Sequence, residues 1–403
     1  MNVIVANASK NQAYHTALAA QRAGYLKFLL TTVYYKPGSL SGKLLSLALP
    51  QARRLNRNLP ELQLDKVRSF WWAEAAARLA KKTPAIGGRR LPWYYIQNVL
   101  FDYWAARYAA ESDIFHGFDG CSLLSMRRAK MAGASCILDL KIMHPVVANA
   151  VMEEEWKRYD VPPDASQDLW TARTCAEIAM ADRVLVGSQT VFDGCVRAGV
   201  EKSKLVLVPY GYDQRVYKPS SKSDDCFRIL FAGTLQLRKG VQYLLEAYRR
   251  LRLPHSELVL IGAPTPEILP LLKEYAGTYR HIDHVPQLEL HTYFSNASVF
   301  VLPSLVEGSA LVTYGAMACG LPLVVSENAG SIARDGQDGF VVPIRDVRAL
   351  QDRISQLYTN ERLRKEMGRS ALEYVRNFTW ETYYDRVAQV YETLSNWVAA
   401  EHR

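Results

Sequence analysis

The chain has 403 residues, 49 % of them hydrophobic and 22 % charged, with 49 Lys and Arg against 40 Asp and Glu. That length suits two or three domains of roughly 100–200 residues each, and the composition excludes a disordered or fibrous protein. No apolar run reaches the roughly 18–20 residues needed to span a bilayer, which excludes an obvious transmembrane helix. The net charge of +9 is uneven: no Asp or Glu precedes Glu61, whereas Lys10, Arg22, Lys27, Lys36, Lys43, Arg53, Arg54 and Arg57 do. Such a bias marks contact with an anionic surface or, equally, a solvated basic face.

Asn2–Ala6 reads as the first strand of a parallel sheet, Thr16–Ala23 as a helix ending at Gly24, and Tyr25–Thr32 as the next strand, together a βαβ unit. Residues 36–58 mix leucines with cations and carry no acid. They resemble an interfacial amphipathic segment broken by Pro50, with a surface helix pair as the plainer alternative. Phe70–Lys82 and Tyr94–Ala110 are expected to be helices whose aromatics belong to the core. Asp113–Gly117, Ser135–Leu140, Asp182–Gly187 and Lys204–Pro209 read as strands, with a helix at Gln189–Ala198. This is the rhythm of a doubly wound sheet.

Tyr210–Asp225 is rich in Gly, Pro, Ser and charge and reads as a linker. A second α/β rhythm follows. Strands are expected at Arg228–Ala232, Glu257–Ile261, Val299–Leu302 and Leu323–Val325, and helices at Val241–Leu251, Pro266–Tyr275 and Leu311–Cys319. Ala349–Tyr358, Glu361–Phe378 and Trp380–Trp397 close the chain as helices. The expected class is α/β, two doubly wound, Rossmann-like domains facing a central cleft, because ligands of such sheets sit beyond the carboxyl ends of the strands.

The six cysteines form no C-x-x-C pair and no zinc-ligand spacing with histidine, and read as reduced, mostly buried thiols. The N-terminus lacks a basic stretch followed by an apolar core, so no signal peptide is expected. A cytoplasmic protein, peripheral to the membrane through 36–58, is the resulting expectation. No RNP, helix-turn-helix or finger motif supports nucleic-acid binding.

Two segments carry chemistry. Pro303–Gly330 begins at a strand end, places Glu307 there and opens a helix near Leu311, whose free N–H groups at Ser309, Ala310, Leu311 and Val312 favour an anion such as phosphate. Glu307 can accept hydrogen bonds from sugar hydroxyls, or simply complement the helix dipole. Ala232–Gly240 ends a strand at Gly233–Thr234 and presents Arg238 and Lys239, a fork and a point charge suited to a diphosphate. It lacks the glycine order of a P-loop.

Together with ADRVLVGSQTVFDGCVRAGVEKSKLVLVPYGYD (181–213), the stretches FAGTLQLRKG (231–240), VFVLPSLVEGSALVTYGAMACGLPLVV (299–325) and ARDGQDGFVVPIRD (333–346) resemble the group 1 (family 4) retaining glycosyltransferases of GT-B fold, over about residues 110–400. The resemblance implies an acceptor-binding domain at 1–212, completed by a C-terminal helix at 380–403, and a donor-binding domain at 213–379. It implies that Lys239 binds phosphate, that Glu307 is the first acid of an E-x7-E motif contacting the donor sugar, and that His144 lies near the transferred sugar; a lone His before Pro is otherwise structural. A UDP- or GDP-linked sugar is the implied donor, a saccharide or lipid-linked saccharide the acceptor, with no cofactor and no metal, in keeping with the lack of a D-x-D cluster.

Two departures stand out. The second acid of E-x7-E falls at Gly315, which removes a ribose partner, and Thr234 stands where many relatives have Arg, a charge Arg238 is placed to replace. They motivate the alternative of a donor-binding-deficient relative acting as a scaffold or partner subunit. Lys10 and His15 are expected to line the cleft, and His281–Gln287 to wall the base pocket.

Overall fold

The computed structural model describes residues 1–9, 12–35, 58–71, 74, 93–162 and 166–401. The segment 36–57 and most of the expected helix Phe70–Lys82 lie outside them, as does Lys10. In the first domain β1 (Val3–Asn7), α1 (Ala13–Arg22), β2 (Leu26–Thr31), β3 (Val67–Ser69), α2 (Trp93–Ala109), β4 (Ile114–Phe118), α3 (Leu123–Met131) and β5 (Ser135–Leu140) follow in order. Then come α4 (Pro145–Arg158), α5 (Gln167–Met180), β6 (Arg183–Val186), α6 (Gln189–Arg197) and β7 (Leu205–Leu207). The strands form one parallel sheet in the order β3-β2-β1-β4-β5-β6-β7. Helices cover both faces, so β1, β4 and β5 are buried at every residue and are mostly apolar without alternating.

The second domain contains β8 (Phe227–Ala232), α7 (Val241–Leu251), β9 (Ser256–Ile261), α8 (Leu269–Glu274), β10 (Arg280–Ile282), α9 (Leu290–Asn296), β11 (Val299–Leu302), α10 (Leu311–Ala318), β12 (Leu323–Ser326) and β13 (Gly339–Val342). Its parallel sheet runs β10-β9-β8-β11-β12-β13. Helices α11 (Val347–Thr359), α12 (Glu361–Val375) and α13 (Trp380–Glu401) end the chain. The short strands β3, β10 and β13 and the helices α3, α4, α5 and α9 carry no strong period of their own and were not expected from the sequence. Pro266–Tyr275 is split, a single 3₁₀ turn at Pro266–Ile268 preceding α8.

Each domain has its own core, and each lends a helix to the other. Tyr383, Val387, Tyr391 and Leu394 of α13 are at most 1 % exposed, within the core of the first domain. Three phenols seat that helix: Tyr383 Oη lies 2.8 Å from Thr16 Oγ1, Tyr384 Oη 2.8 Å from His15 Nδ1, and Tyr391 Oη 2.8 Å from His116 Nδ1. His15 is therefore not a cleft-lining side chain; its ring stacks on Trp380 at 3.5 Å because α13 covers that side of α1. In the other direction α4 packs Val147, Val151, Met152 and Trp156 against the core of the second domain. The chain crosses between domains twice at one place, where Tyr212 N donates to Phe378 O at 3.2 Å. No helix among the described residues is long and apolar enough to cross a membrane. All six cysteines are free, four of them buried.

Candidate active site

In both sheets the strand order reverses at one point, between β1 and β4 and between β8 and β11. Loops leaving the carboxyl ends of those strands diverge to opposite faces, which opens a crevice between them. The loop after β8 carries Arg238 and Lys239, and the loop after β11 carries Glu307. The switch point thus joins residues 68 and 69 positions apart in sequence: Arg238 Nη1 lies 3.1 Å from Glu307 Oε1 and 2.6 Å from the Val306 carbonyl, and Lys239 Nζ pairs with Glu307 Oε2. The side chains of Lys239 and Glu307 are 13 % and 12 % exposed. Burial by itself pushes the Glu307 pKa up, but Lys239 and then Arg238 outweigh it and hold the carboxyl below its ordinary value. Burial lowers the Lys239 pKa, and the Glu307 charge offsets part of that. Two cations against one carboxylate leave the cluster with a positive balance, suited to an anion with more charge than Glu307.

The cluster sits beside the start of α10. Ala310 is its N-cap and supplies no side-chain cap, so the first-turn N–H groups of Leu311 and Val312 depend on other partners. Ser309 Oγ lies 3.0 Å from Tyr314 Oη. Gly233 faces the Lys239 stem, a Cβ there standing 4.0 Å from Lys239 Cε, and Thr234 is exposed.

Gly308 is where the two walls meet. It bridges antiparallel to Ile142, Met143 N donates to Glu307 O at 3.2 Å, and Ser188 Oγ donates to Gly308 O at 2.6 Å. A Cβ on Gly308 would lie 1.8 Å from the Lys141 carbonyl, so only glycine allows this approach. The bridge brings His144 of the first domain next to the Glu307 loop. His144 is the N-cap of α4, which Pro145 opens at a position where no N–H is needed. Its ring is 5 % exposed, Nδ1 has no partner, and burial lowers its pKa, which keeps the imidazole neutral.

Gly315 does not leave an empty volume where an acid is missing. It faces rings: a Cβ would lie 3.0 Å from Tyr217 Cε1 and 3.1 Å from Phe294 Cε2. Tyr217, which follows β7 in the segment 210–225, packs on Phe294 at 5.9 Å. Of the expected base wall, His281 extends the edge strand β10, with Nε2 2.8 Å from Gly262 O.

Sequence reasoning missed the first-domain side of the crevice. Asp139, at the end of β5, is 2 % exposed and receives Gln12 Nε2 at 3.2 Å; the same amide reaches Tyr210 Oη at 2.5 Å. Burial pushes the Asp139 pKa up to about 7. Lys141 Nζ lies 3.5 Å from Asp119 Oδ1. It also missed Glu155 of α4, fully buried between domains, which accepts from Tyr243 Oη at 2.6 Å, Gln242 Nε2 at 3.0 Å and Arg345 Nε at 2.6 Å. These partners are 87 to 190 residues away and leave no local signal. Among the described residues no group of three or more His, Cys, Asp or Glu is arranged to hold a metal ion.

The fold is that of the GT-B glycosyltransferases. Sucrose-phosphate synthase from Thermosynechococcus elongatus superposes with a TM-score of 0.68 at 20 % identity, covering 98 % of this chain and 100 % of that one. Anabaena HepE, solved in complex with UDP and glucose, superposes with a TM-score of 0.64 at 15 % identity over the same shares. Residues 226–360, within the second domain, match the family model for group 1 glycosyl transferases. The D-inositol 3-phosphate glycosyltransferase of Paenarthrobacter aurescens is 30 % identical over 233 residues, 48 % of this chain and 57 % of its own length. That of Kribbella flavida is 27 % identical over 251 residues, 56 % of this chain and 59 % of its own. The chain therefore spans less than two thirds of the length of these curated relatives.

Proposed function

We propose that the protein is a retaining, hexosyltransferase-type glycosyltransferase that moves a sugar from a UDP- or GDP-linked donor to a saccharide or lipid-linked saccharide acceptor, in glycan or polysaccharide biosynthesis. The observation that carries the reading is the Arg238–Lys239–Glu307 cluster at the switch point of the second sheet, beside the uncapped start of α10 and against the loop of His144. The bond between the anomeric carbon and the diphosphate oxygen breaks, the acceptor oxygen bonds to that carbon on the same face, and the acceptor proton passes to the leaving diphosphate. Preorganised positive charge where the leaving group gathers negative charge lowers the barrier. Lys239, Arg238 and the N–H groups of Ser309 to Val312 supply it, so the reading has no metal requirement. Glu307 and the neutral His144 ring face the sugar from opposite walls. Segment 36–58, basic and leucine-rich, is suited to an anionic membrane surface near the acceptor.

Calorimetric titration of UDP, GDP and ADP into wild type and Lys239→Ala tests the reading. One nucleotide should bind, and the substitution should weaken it by about tenfold to a hundredfold, as expected for one charge-assisted hydrogen bond. Binding of none of the three would favour the scaffold alternative. The anomeric configuration of the product, read by NMR, tests retention, and undiminished turnover in EDTA tests the lack of a metal.

A further inference from the structure

We infer that the outer face of α2 and α3 is a docking surface for an anionic phospholipid membrane. The two helices lie side by side on the first domain, and Asp102 of α2 ties them by accepting from Leu124 N at 2.7 Å and Ser125 N at 2.8 Å. Facing outward, α2 exposes Leu100 at 41 % and Tyr103 at 61 %, and α3 exposes Leu124 at 38 % and Met131 at 74 %. A soluble surface scatters such residues singly, and their gathering on one pair of helices marks a contact site. Tyr94, 43 % exposed, extends the face to α5 through its ring, 5.6 Å from Trp170.

The charge on this face selects the occupant. Arg107, Arg127 and Arg128 are exposed and have no ion-pair partner among the described residues, while Lys130 is paired with Asp182 at 2.5 Å. Arg107 stands over the Tyr103 ring at 5.8 Å. Neither helix turns an acid outward: the only one they contain, Asp102, is 1 % exposed. Phenols, leucine and methionine between unpaired arginines match a bilayer interface, where amphipathic rings lie at headgroup level and cations meet anionic lipid. A nucleic-acid surface would show cations without the exposed Leu100, Leu124 and Met131.

The face also has a useful position. Both helices start at the cleft end of the sheet, because α2 leads into β4 and α3 leaves it. Tyr94 and Leu124 therefore lie near the rim of the crevice, and Arg107 and Met131 lie farther from it. A membrane held there stands beside the cleft mouth. The inference is independent of the transfer reading, because vesicle binding needs no nucleotide, and of segment 36–58, because it names other residues.

The test is co-sedimentation of the full chain with vesicles of phosphatidylcholine alone or mixed with phosphatidylglycerol. Wild type should bind the anionic vesicles and be released by high salt. Arg127→Gln/Arg128→Gln should bind them roughly thirtyfold more weakly, the expected loss for two cations near an anionic surface. Leu100→Ser/Tyr103→Ser should bind roughly tenfold more weakly with an unchanged melting curve, since both side chains are exposed. Equal binding to neutral vesicles, no binding at all, or variants that bind like wild type would each overturn the inference. The last outcome would move any membrane contact to another surface.

Discussion

Glu307 on the second domain and Asp139 on the first are both largely buried carboxylates at the carboxyl ends of parallel strands, and their neighbours differ in charge. Glu307 has a lysine and an arginine, and its pKa falls below the ordinary value. Asp139 has an amide and a phenol, which cannot repay the loss of water, and its pKa rises to about 7. The same side-chain chemistry thus yields a fixed anion on one wall and an acid that titrates near neutrality on the other. The difference comes from which loops meet, since no acid can bring its own counter-charge.

The largest effect expected concerns the walls themselves. Deleting residues after Phe378 removes Tyr383, Val387, Tyr391 and Leu394 from the first core. At roughly 1.5–3 kcal/mol per buried side chain, that is roughly 6–12 kcal/mol, about the whole stability of a domain. Calorimetry of the truncated chain should lose the transition of the first domain and keep that of the second; a wild-type thermogram would refute the mutual dependence. Next comes Lys239→Met, which leaves Glu307 largely buried beside Arg238 alone. Losing one partner of a buried pair costs about 3–5 kcal/mol, and the remaining arginine places this case at the low end. A melting midpoint that did not fall would mean the pair is too solvated to matter.

Gly315→Glu is expected to lower stability by about 1–3 kcal/mol, because its side chain must enter space held by the Tyr217 and Phe294 rings. Restoring the missing acid should therefore not strengthen nucleotide binding unless Tyr217 is shortened as well. Tighter binding by the single variant would show that the linker ring moves aside freely.

The effects of pH sharpen the comparison most directly. Asp139 has a folded pKa near 7 against 3.8 unfolded, so between those values the unfolded chain has already lost a proton the folded chain keeps. Its contribution to stability therefore falls as pH rises from about 4 to 7. His116, buried with Nε2 unpartnered, has a pKa near 3 against 6.5, so its contribution falls in the opposite direction, as pH drops from 6.5 toward 3. Relative to wild type, Asp139→Asn should gain stability on going from pH 4 to 7, and His116→Gln on going from pH 6.5 to 4, read from urea midpoints. Glu307→Gln should instead lose stability throughout that range. Parallel profiles for Asp139→Asn and Glu307→Gln would erase the distinction between the walls.

Much of the second domain was legible in the sequence. The runs at Ile229–Ala232 and Val299–Leu302 are apolar throughout because both faces of a parallel strand are covered. Lys239, Arg238 and Glu307 stood out because each lies a few residues past such a run, where a switch point exposes the loops. The first domain was less legible. Asp139 sits inside an apolar run, Gln12 and Tyr210 lie in loops, and only the fold brings them within hydrogen-bond reach.

Local composition by itself indicated two doubly wound sheets and the strand-end loops that carry Arg238, Lys239 and Glu307, because strand periodicity and helix starts are written over a few neighbouring residues. Only the tertiary structure decided that Glu307 is held by both cations, that Tyr217 fills the place beside Gly315, that α4 and α13 are exchanged between cores, and that Gly308 is where the walls touch. Those contacts join residues tens to hundreds of positions apart, and their geometry is set by how the two sheets and their loops pack, which no short stretch of sequence encodes.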